Sequence, residues 1–522
     1  MARFFDFVST RYADILSQTL EHIYLTLVSL FIATALGLFL GIYLSRKRKA
    51  AGGILGILGV IQTIPSIAML GLLIPLVGIG AIPAIIALFL YALLPIVRNT
   101  FTGITEVEDA VIEAAKGMGM TSRQILLKVE LPLAVPIIFA GIRTAMVINV
   151  GVATLGALIN AGGLGKFIFR GISLYDPVRM MAGAIPAALL ALLLDFLLGQ
   201  IQKIIHRKSS YVGVFAGVIT LFLVVYMAIS LNNQSKLIGS NPEFVERLDG
   251  YQQLAQAYQF TNLKVADMEA GLMYYSLASK RVDAVVGYST DGRIEAYKLK
   301  ILKDDKNYFP PYYVAPMIRQ STALKHPELM QIFEKLAGKI SEAEMVFLNY
   351  LVDDKKMQPR QVALDFMKKK GFKTTKYYTG SQGEISIGGK KFTEHFILAE
   401  IFKILIENNS NLKVNLKTGL GGTQIAFEAL KSGEIDLYPE YTGTALFVML
   451  KTSAQQLKTL GNDRQRVYDY VKVEMKKRFD MLWLSPLGFN NTYAILMRKK
   501  QAEQLGIQTV SDFSRYLRQA KQ

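Results

Sequence analysis

The side chains that break bonds or hold metals are scarce and badly spaced in this chain. It has no cysteine, which excludes disulfides, thiol catalysis, Cys-ligated metals and an acylated cysteine. Its four histidines, His22, His206, His326 and His395, lie far apart without HExxH or paired spacing, and read as packing or surface residues. No GxxxxGK followed by Ser or Thr occurs. The nearest strings, GGLGK at 162–166 and GGKK at 388–391, lack the leading glycine spacing, so the chain cannot hydrolyse ATP by itself. No nucleophile with an attendant base is visible, so no catalytic residue and no metal site is expected. A net charge of +18 would suit nucleic acid or an anionic bilayer, but no Arg-rich helix, zinc-finger spacing or aromatic RNA-binding motif supports the first. What the chain does hold in number is tyrosine, 25 of them.

The elements that would position any site divide between two solvents. Of 522 residues 51% are apolar and only 19% charged, a composition that places part of the chain in a bilayer. Residues 23–44 carry no charge and end against Arg46-Lys47-Arg48-Lys49, one span stopped by a cytoplasmic anchor. The 48 uncharged residues Ala50–Val97 predict two helices and a short turn, since one span takes about 20. After a polar segment at 98–130, apolar stretches at 131–165 and 180–202 close on Lys203, His206, Arg207 and Lys208, giving five spans. A sixth uncharged run, 212–231, predicts an anchor helix that carries the remainder across the membrane. Arg143 and Asp195 fall within apolar stretches, where each must pair, with the other or across helices, or face a substrate route.

The segment 106–132 reads EVEDAVIEAAKGMGMTSRQILLKVELP. Glu113-Ala114-Ala115, Gly119 four residues after Ala115, and Leu131-Pro132 resemble the EAA loop of ABC importer permeases. The resemblance implies a short coupling helix seated in a cytoplasmic ATPase subunit, which would bind the ATP and Mg, and a homodimer of this chain as the pathway. No cofactor is expected in the chain itself. Small alanines permit close approach and Gly119 permits a turn.

Beyond residue 236 the strings alternate strand and helix, as in ISIGGKKFTEHFILAEIFKILIE and VDAVVGYSTD, which predicts an α/β domain. With SNPEFVERLDG, FPPYYVAP and ALKSGEIDLYPEYTGTAL, these strings resemble the two-lobed periplasmic-binding fold of the glycine betaine, choline and carnitine importers. In the family's order the IGxKxFTE block comes first; here the halves 237–378 and 385–522 are exchanged, as in a circular permutation joined by YTGSQGE at 378–384. The resulting fold class is an all-α membrane permease of five helices at 1–205, an additional anchor at 206–236, and an extracytoplasmic α/β substrate-binding domain at 237–522, in a multi-pass protein of the cell membrane. One lobe is expected to run continuously from about 290 to 487 and the other to combine 237–285 with 494–522, hinged near Gly287 and Phe489.

By the resemblance, Tyr288, Tyr312, Tyr441 and Tyr493 fall at the family's aromatic-cage positions, with Tyr438 and Tyr313 as neighbours that would substitute in another register. A quaternary ammonium has no N–H to donate, so ring faces must hold it. Lys390, Arg247 and Thr444 fall where the betaine-binding branch places its carboxylate contacts, and two uncompensated cations would disfavour choline. A small zwitterionic betaine is therefore the expected ligand, with choline, carnitine or ergothioneine importers of the same type, or a membrane-tethered osmolyte sensor, as alternatives. The backbone amides of GLGGT, 419–423, are further candidates for ligand contact.

Overall fold

The uncharged runs and the segments between them fold as helices: α1 (Ala2–Thr10), α2 (Tyr12–Arg46), α3 (Arg48–Thr63), α4 (Ser66–Val77), α5 (Ala81–Thr105), α6 (Asp109–Gly117), α7 (Ser122–Ile125), α8 (Leu131–Ala153), α9 (Gly165–Leu174) and α10 (Pro177–Arg207). The structure, a computed structural model, describes residues 2–207, 236–261, 263–375 and 380–519. Among the described residues four stretches, Tyr12–Arg46, Ala81–Thr105, Ser122–Ile159 and Pro177–Lys203, are long and apolar enough to cross a bilayer, and α3 with α4 form an apolar pair bent by 96°, the shape of a broken span or a re-entrant loop. The two helices expected over Ala50–Val97 are thus three. Pro65 has no N–H to continue α3, and Gly78 and Gly80, with φ of 88° and 99°, turn the chain before α5. The sixth run, 212–231, lies outside the described residues.

Small residues let these helices approach. A Cβ on Gly41 of α2 would fall 2.5 Å from Thr100 Cβ of α5, and one on Gly141 of α8 would fall 2.7 Å from the Pro95 carbonyl. Asn149 Nδ2 donates to Ser29 Oγ at 3.0 Å, tying α8 to α2. Arg143 of α8 meets Asp195 of α10 through two parallel bonds of 2.7 Å, from Nε and Nη2. The two charges inside the apolar stretches are therefore a bidentate interhelical clamp.

The second unit carries ten strands among the described residues. In chain order β1 (Lys236–Ser240), β2 (Leu263–Asp267), β3 (Ala284–Tyr288) and β4 (Leu299–Ile301) open one lobe. A second lobe holds β5 (Val314–Arg319), β6 (Glu384–Gly388), β7 (Lys413–Lys417), β8 (Leu437–Tyr441) and β9 (Met481–Trp483); β10 (Tyr493–Arg498) then returns to the first. The sheets run β2-β1-β3-β10-β4 and β7-β6-β8-β5-β9. Near-continuous apolar strands such as AVVGY and YAILMR fit sheets covered on both faces.

The expected lobe boundary moves. β4, which lies within the stretch expected to form the continuous lobe, belongs to the other one because its partner is β10, with Leu496 opposite Ile301 in antiparallel register. Gly287 is no hinge: it sits within β3 opposite Ala494, where a Cβ would fall 2.4 Å from the Tyr274 hydroxyl. The crossovers are 302–313 and 484–492, the latter containing Phe489, and they run side by side: Asn491 N donates to the Tyr312 carbonyl at 3.1 Å and Leu487 N to that of Val314 at 2.9 Å. In the joining segment, Tyr378 and Thr379 lie outside the described residues, and β6 begins at Glu384.

Candidate functional site

Strand ends and crossovers bring all seven expected ligand residues to one cavity between the lobes, of about 620 Å³ with its open mouth included. Tyr288 ends β3 and Tyr493 begins β10, directly opposite in register, so their rings meet at 5.0 Å between centroids. Tyr312, on the first crossover, stands edge-on to Tyr493 at 5.6 Å. Tyr441 ends β8 and lines the facing wall. The neighbours do not substitute. Tyr438 is fully buried in the second lobe's core with its hydroxyl on Glu440 Oε2 at 3.0 Å. Tyr313 lies under the Arg464 guanidinium, 4.0 Å from its centroid, and lines a different cavity behind the crossovers.

The polar end differs from expectation in one respect: neither cation is uncompensated. Lys390 Nζ donates to Glu440 Oε1 at 2.7 Å, with side-chain exposures of 3% and 0%. Arg247 forks onto Asp249, Nε to Oδ1 at 2.7 Å and Nη2 to Oδ2 at 2.8 Å, and Nη2 also reaches the Tyr312 hydroxyl at 2.7 Å. That hydroxyl in turn donates to Asp249. Both cations also approach cage rings, Lys390 at 5.4 Å from the Tyr441 centroid and Arg247 at 5.2 Å from that of Tyr493. Burial works against the charge on Arg247, but Asp249 and the phenol oxygens outweigh it and hold the guanidinium well above its ordinary pKa. Lys390 and Arg247 therefore demand no anion by charge alone; they offer the donors that their internal partners leave over.

Residues that the sequence reading did not single out complete the wall: Glu243, Phe392, Glu394, Asn349 and Asn491. Glu243 and Glu394 stand inside the quoted strings SNPEFVERLDG and ISIGGKKFTEHFILAEIFKILIE, so position in a motif was the available signal. Side chains at and beside the wall link the lobes. Thr290 Oγ1 of the first donates to Glu394 Oε2 of the second at 2.6 Å, and Lys391 Nζ of the second reaches Glu269 Oε1 of the first at 2.8 Å. Thr423 N, of the GLGGT turn, donates to Glu243 Oε2 at 3.3 Å, so this amide at a helix start caps a protein carboxylate. Burial pushes the Glu394 carboxyl above its ordinary value, against the pull of its hydrogen-bond donors.

In the helical unit, Glu113, Ala114 and Ala115 lie on the nine-residue helix α6. Ala115 is buried, whereas Glu113 and Ala114 are exposed. Met120 N closes back onto the Ala115 carbonyl at 3.2 Å, a turn that Gly119 permits at φ 79°. Thr121 then caps α7 reciprocally with Gln124. The loop is a capped, outward-facing helix rather than a loose connection.

Residues 230–369 and 383–522 match the family described as the substrate binding domain of ABC-type glycine betaine transport system. Residues 33–211 match the binding-protein-dependent transport system inner membrane component. The chain is 42% identical over 209 residues to the glycine betaine/carnitine/choline transport system permease protein OpuCB of Bacillus subtilis, covering 40% of this chain and 96% of that one. To the ergothioneine transport permease/ergothioneine binding protein EgtU of Helicobacter pylori it is 26% identical over 429 residues, 55% of this chain and 78% of that one. Among solved structures, the inward-facing MetNI methionine ABC transporter is 27% identical and covers 37% of this chain and 96% of its own, with a TM-score of 0.34.

Proposed function

Because the chain belongs to the family of ABC-type glycine betaine importers, a permease component joined to its own substrate-binding domain, we propose that it captures and conducts a quaternary-ammonium osmolyte, glycine betaine first. The observation that carries this reading is the convergence of Tyr288, Tyr312, Tyr441 and Tyr493 on one cavity. A methylated nitrogen offers no hydrogen bond, and ring faces are what attract and desolvate it. At the other end Lys390 gives one of its three protons to Glu440, and Arg247 commits Nε and Nη2 to Asp249 and Tyr312. The remaining donors, with Thr444, suit a carboxylate.

Capture between closing lobes favours the state whose contacts include Thr290 to Glu394 and Lys391 to Glu269. The liganded lobes then dock outside the membrane on a homodimer of the permease part, and a separate ATPase engages α6 on the cytoplasmic side. The chain performs no chemistry on its cargo. Substituting Gly119 by Val should strain the turn after α6 and abolish co-purification of the ATPase.

Choline is a second reading, favoured by one observation. All three cations lining the cavity, Arg247, Arg293 and Lys390, carry internal carboxylates, while Glu243 and Glu394 line the wall with no lysine or arginine at ion-pair distance among the described residues. Calorimetry of the purified full chain with glycine betaine, choline, carnitine and ergothioneine ranks the candidates. Preference for glycine betaine supports the first reading, preference for choline removes Lys390 and Arg247 from carboxylate binding, and no binding of any of the four refutes both.

A further inference from the structure

Two of the four cage phenols donate to a carboxylate, Tyr312 to Asp249 and Tyr441 to Glu394, and the Tyr441 oxygen does so without an arginine on it. The Tyr441 hydroxyl donates to Glu394 Oε1 at 2.5 Å, and Glu394 is only 4% exposed. The same carboxylate accepts from Asn491 Nδ2 at 3.0 Å on Oε1, and from Thr290 Oγ1 at 2.6 Å and Asn349 Nδ2 at 3.1 Å on Oε2. Amide N–H groups only donate, so each carboxylate oxygen faces at least one partner that requires an acceptor. Burial raises this carboxyl above its ordinary value, and the donors pull it back toward the ionised form. The comparable pair, Tyr312 with Asp249, differs because Arg247 donates to the same phenol oxygen and draws charge back from the ring. No cation donates to the Tyr441 hydroxyl among the described residues; Lys390 Nζ lies 5.4 Å from the ring centroid, with its charge met by Glu440.

A phenol that donates to a carboxylate gains electron density on its oxygen and ring, which deepens the negative face offered to a cation. We propose that Glu394 is a positioning residue for cation recognition: by accepting the Tyr441 hydroxyl it fixes that ring in the cage wall and strengthens its attraction for a methylated ammonium. The proposal rests on the quaternary-ammonium reading above. Thr290 comes from the first lobe, whereas Glu394 and Tyr441 belong to the second, so lobe closure completes the donor set on the carboxylate. The ring then reaches its most electron-rich state around a captured ligand.

A double-mutant cycle on the purified full chain tests this, with Glu394→Gln, Tyr441→Phe and the double variant titrated with glycine betaine and with choline. Tyr441→Phe removes one hydroxyl and keeps the ring, so it reports even if Glu394→Gln disturbs Asn349 and Asn491. Each single change should weaken binding by about tenfold, the order of one desolvated cation–π contact, and the double variant should be no more than about twofold weaker than either. A readout insensitive to packing comes from the carbon isosteres 3,3-dimethylbutanoate and 3,3-dimethylbutanol, in which a quaternary carbon replaces the ammonium, measured by displacement: Tyr441→Phe should cost them less than about twofold. Additive costs, no cost, or equal losses for the ammonium ligands and their carbon isosteres overturn the proposal while leaving the importer reading intact. Failure of the wild-type chain to bind either quaternary amine defeats both.

Discussion

Gly443, two residues beyond Tyr441, is a position where one added methyl should reshape the cage. A Cβ built there would lie 2.5, 2.6 and 2.7 Å from three atoms of the Tyr312 ring, against an ordinary contact of 3.4–4 Å. The ring must therefore retreat by about 1 Å, or the turn after β8 must. Tyr312 is poorly placed to yield: it is 2% exposed, and its hydroxyl is held by Asp249 and by Arg247 Nη2 at 2.7 Å. Losing a hydrogen bond to a charged group costs ~1.5–3 kcal/mol, and overpacking costs ~1–3 kcal/mol. Gly443→Ala should thus destabilise the binding unit by ~2 kcal/mol, a fall of ~5 °C in melting temperature for a domain of this size. It should also weaken osmolyte binding by about tenfold, equivalent to ~1.4 kcal/mol. Calorimetry and thermal melting of the full chain measure both, with Gly117→Ala as comparator because a Cβ there meets nothing within 4 Å. Wild-type affinity and melting temperature in Gly443→Ala would refute the claim that Tyr312 is locked in place.

Lys390→Met should cost ~3–5 kcal/mol in stability by leaving the buried Glu440 without its cation, and a companion Glu440→Gln change should recover part of that loss in thermal melts. Glu344 is partly buried, which opposes its charge, but Lys370 and the Ser341 cap pull its pKa down to about 2 from 4.5. With the folded value below the unfolded one, its stabilisation is present above about pH 4.5 and disappears as pH falls through about 2, so the melting-temperature gap between wild type and Glu344→Gln should narrow over that interval. In the helical unit, Arg143→Asp or Asp195→Arg alone should impair assembly of the permease in membranes, and the exchanged pair should restore much of it; failure of the exchange would show that orientation as well as charge matters.

Much of this architecture is legible because burial leaves long apolar signatures. The span ending at Arg46 is uncharged for a bilayer's width, the one closing on Lys203 carries a single charge, Asp195, over 180–202, and AVVGY and YAILMR announce covered strands. The cage tyrosines are legible because each stands at a strand end or in a crossover inside a recognisable string. Charge compensation is not. Lys390 and Glu440 are fifty residues apart and meet only because β6 and β8 are neighbours. Arg247 and Asp249 lie within one quoted string, yet whether residues two apart fork together depends on the turn between them. The crossover expected near Gly287 falls instead after β4, and the glycine answers to the Tyr274 hydroxyl pressed against its backbone. β4, three residues long, is too short for any periodicity to reveal.

The exchanged order of the binding unit bears on how it is made. β3 emerges from the ribosome some two hundred residues before β10, the strand that pairs along one of its sides. In the interval the second lobe, which is continuous in sequence, has every strand it needs to mature, while the first waits with an open apolar border. Such borders invite pairing with the wrong chain. Nascent copies on crowded polysomes are thus most vulnerable between synthesis of Tyr288 and release of Arg498, and a chaperone that shields strand edges would act within that window.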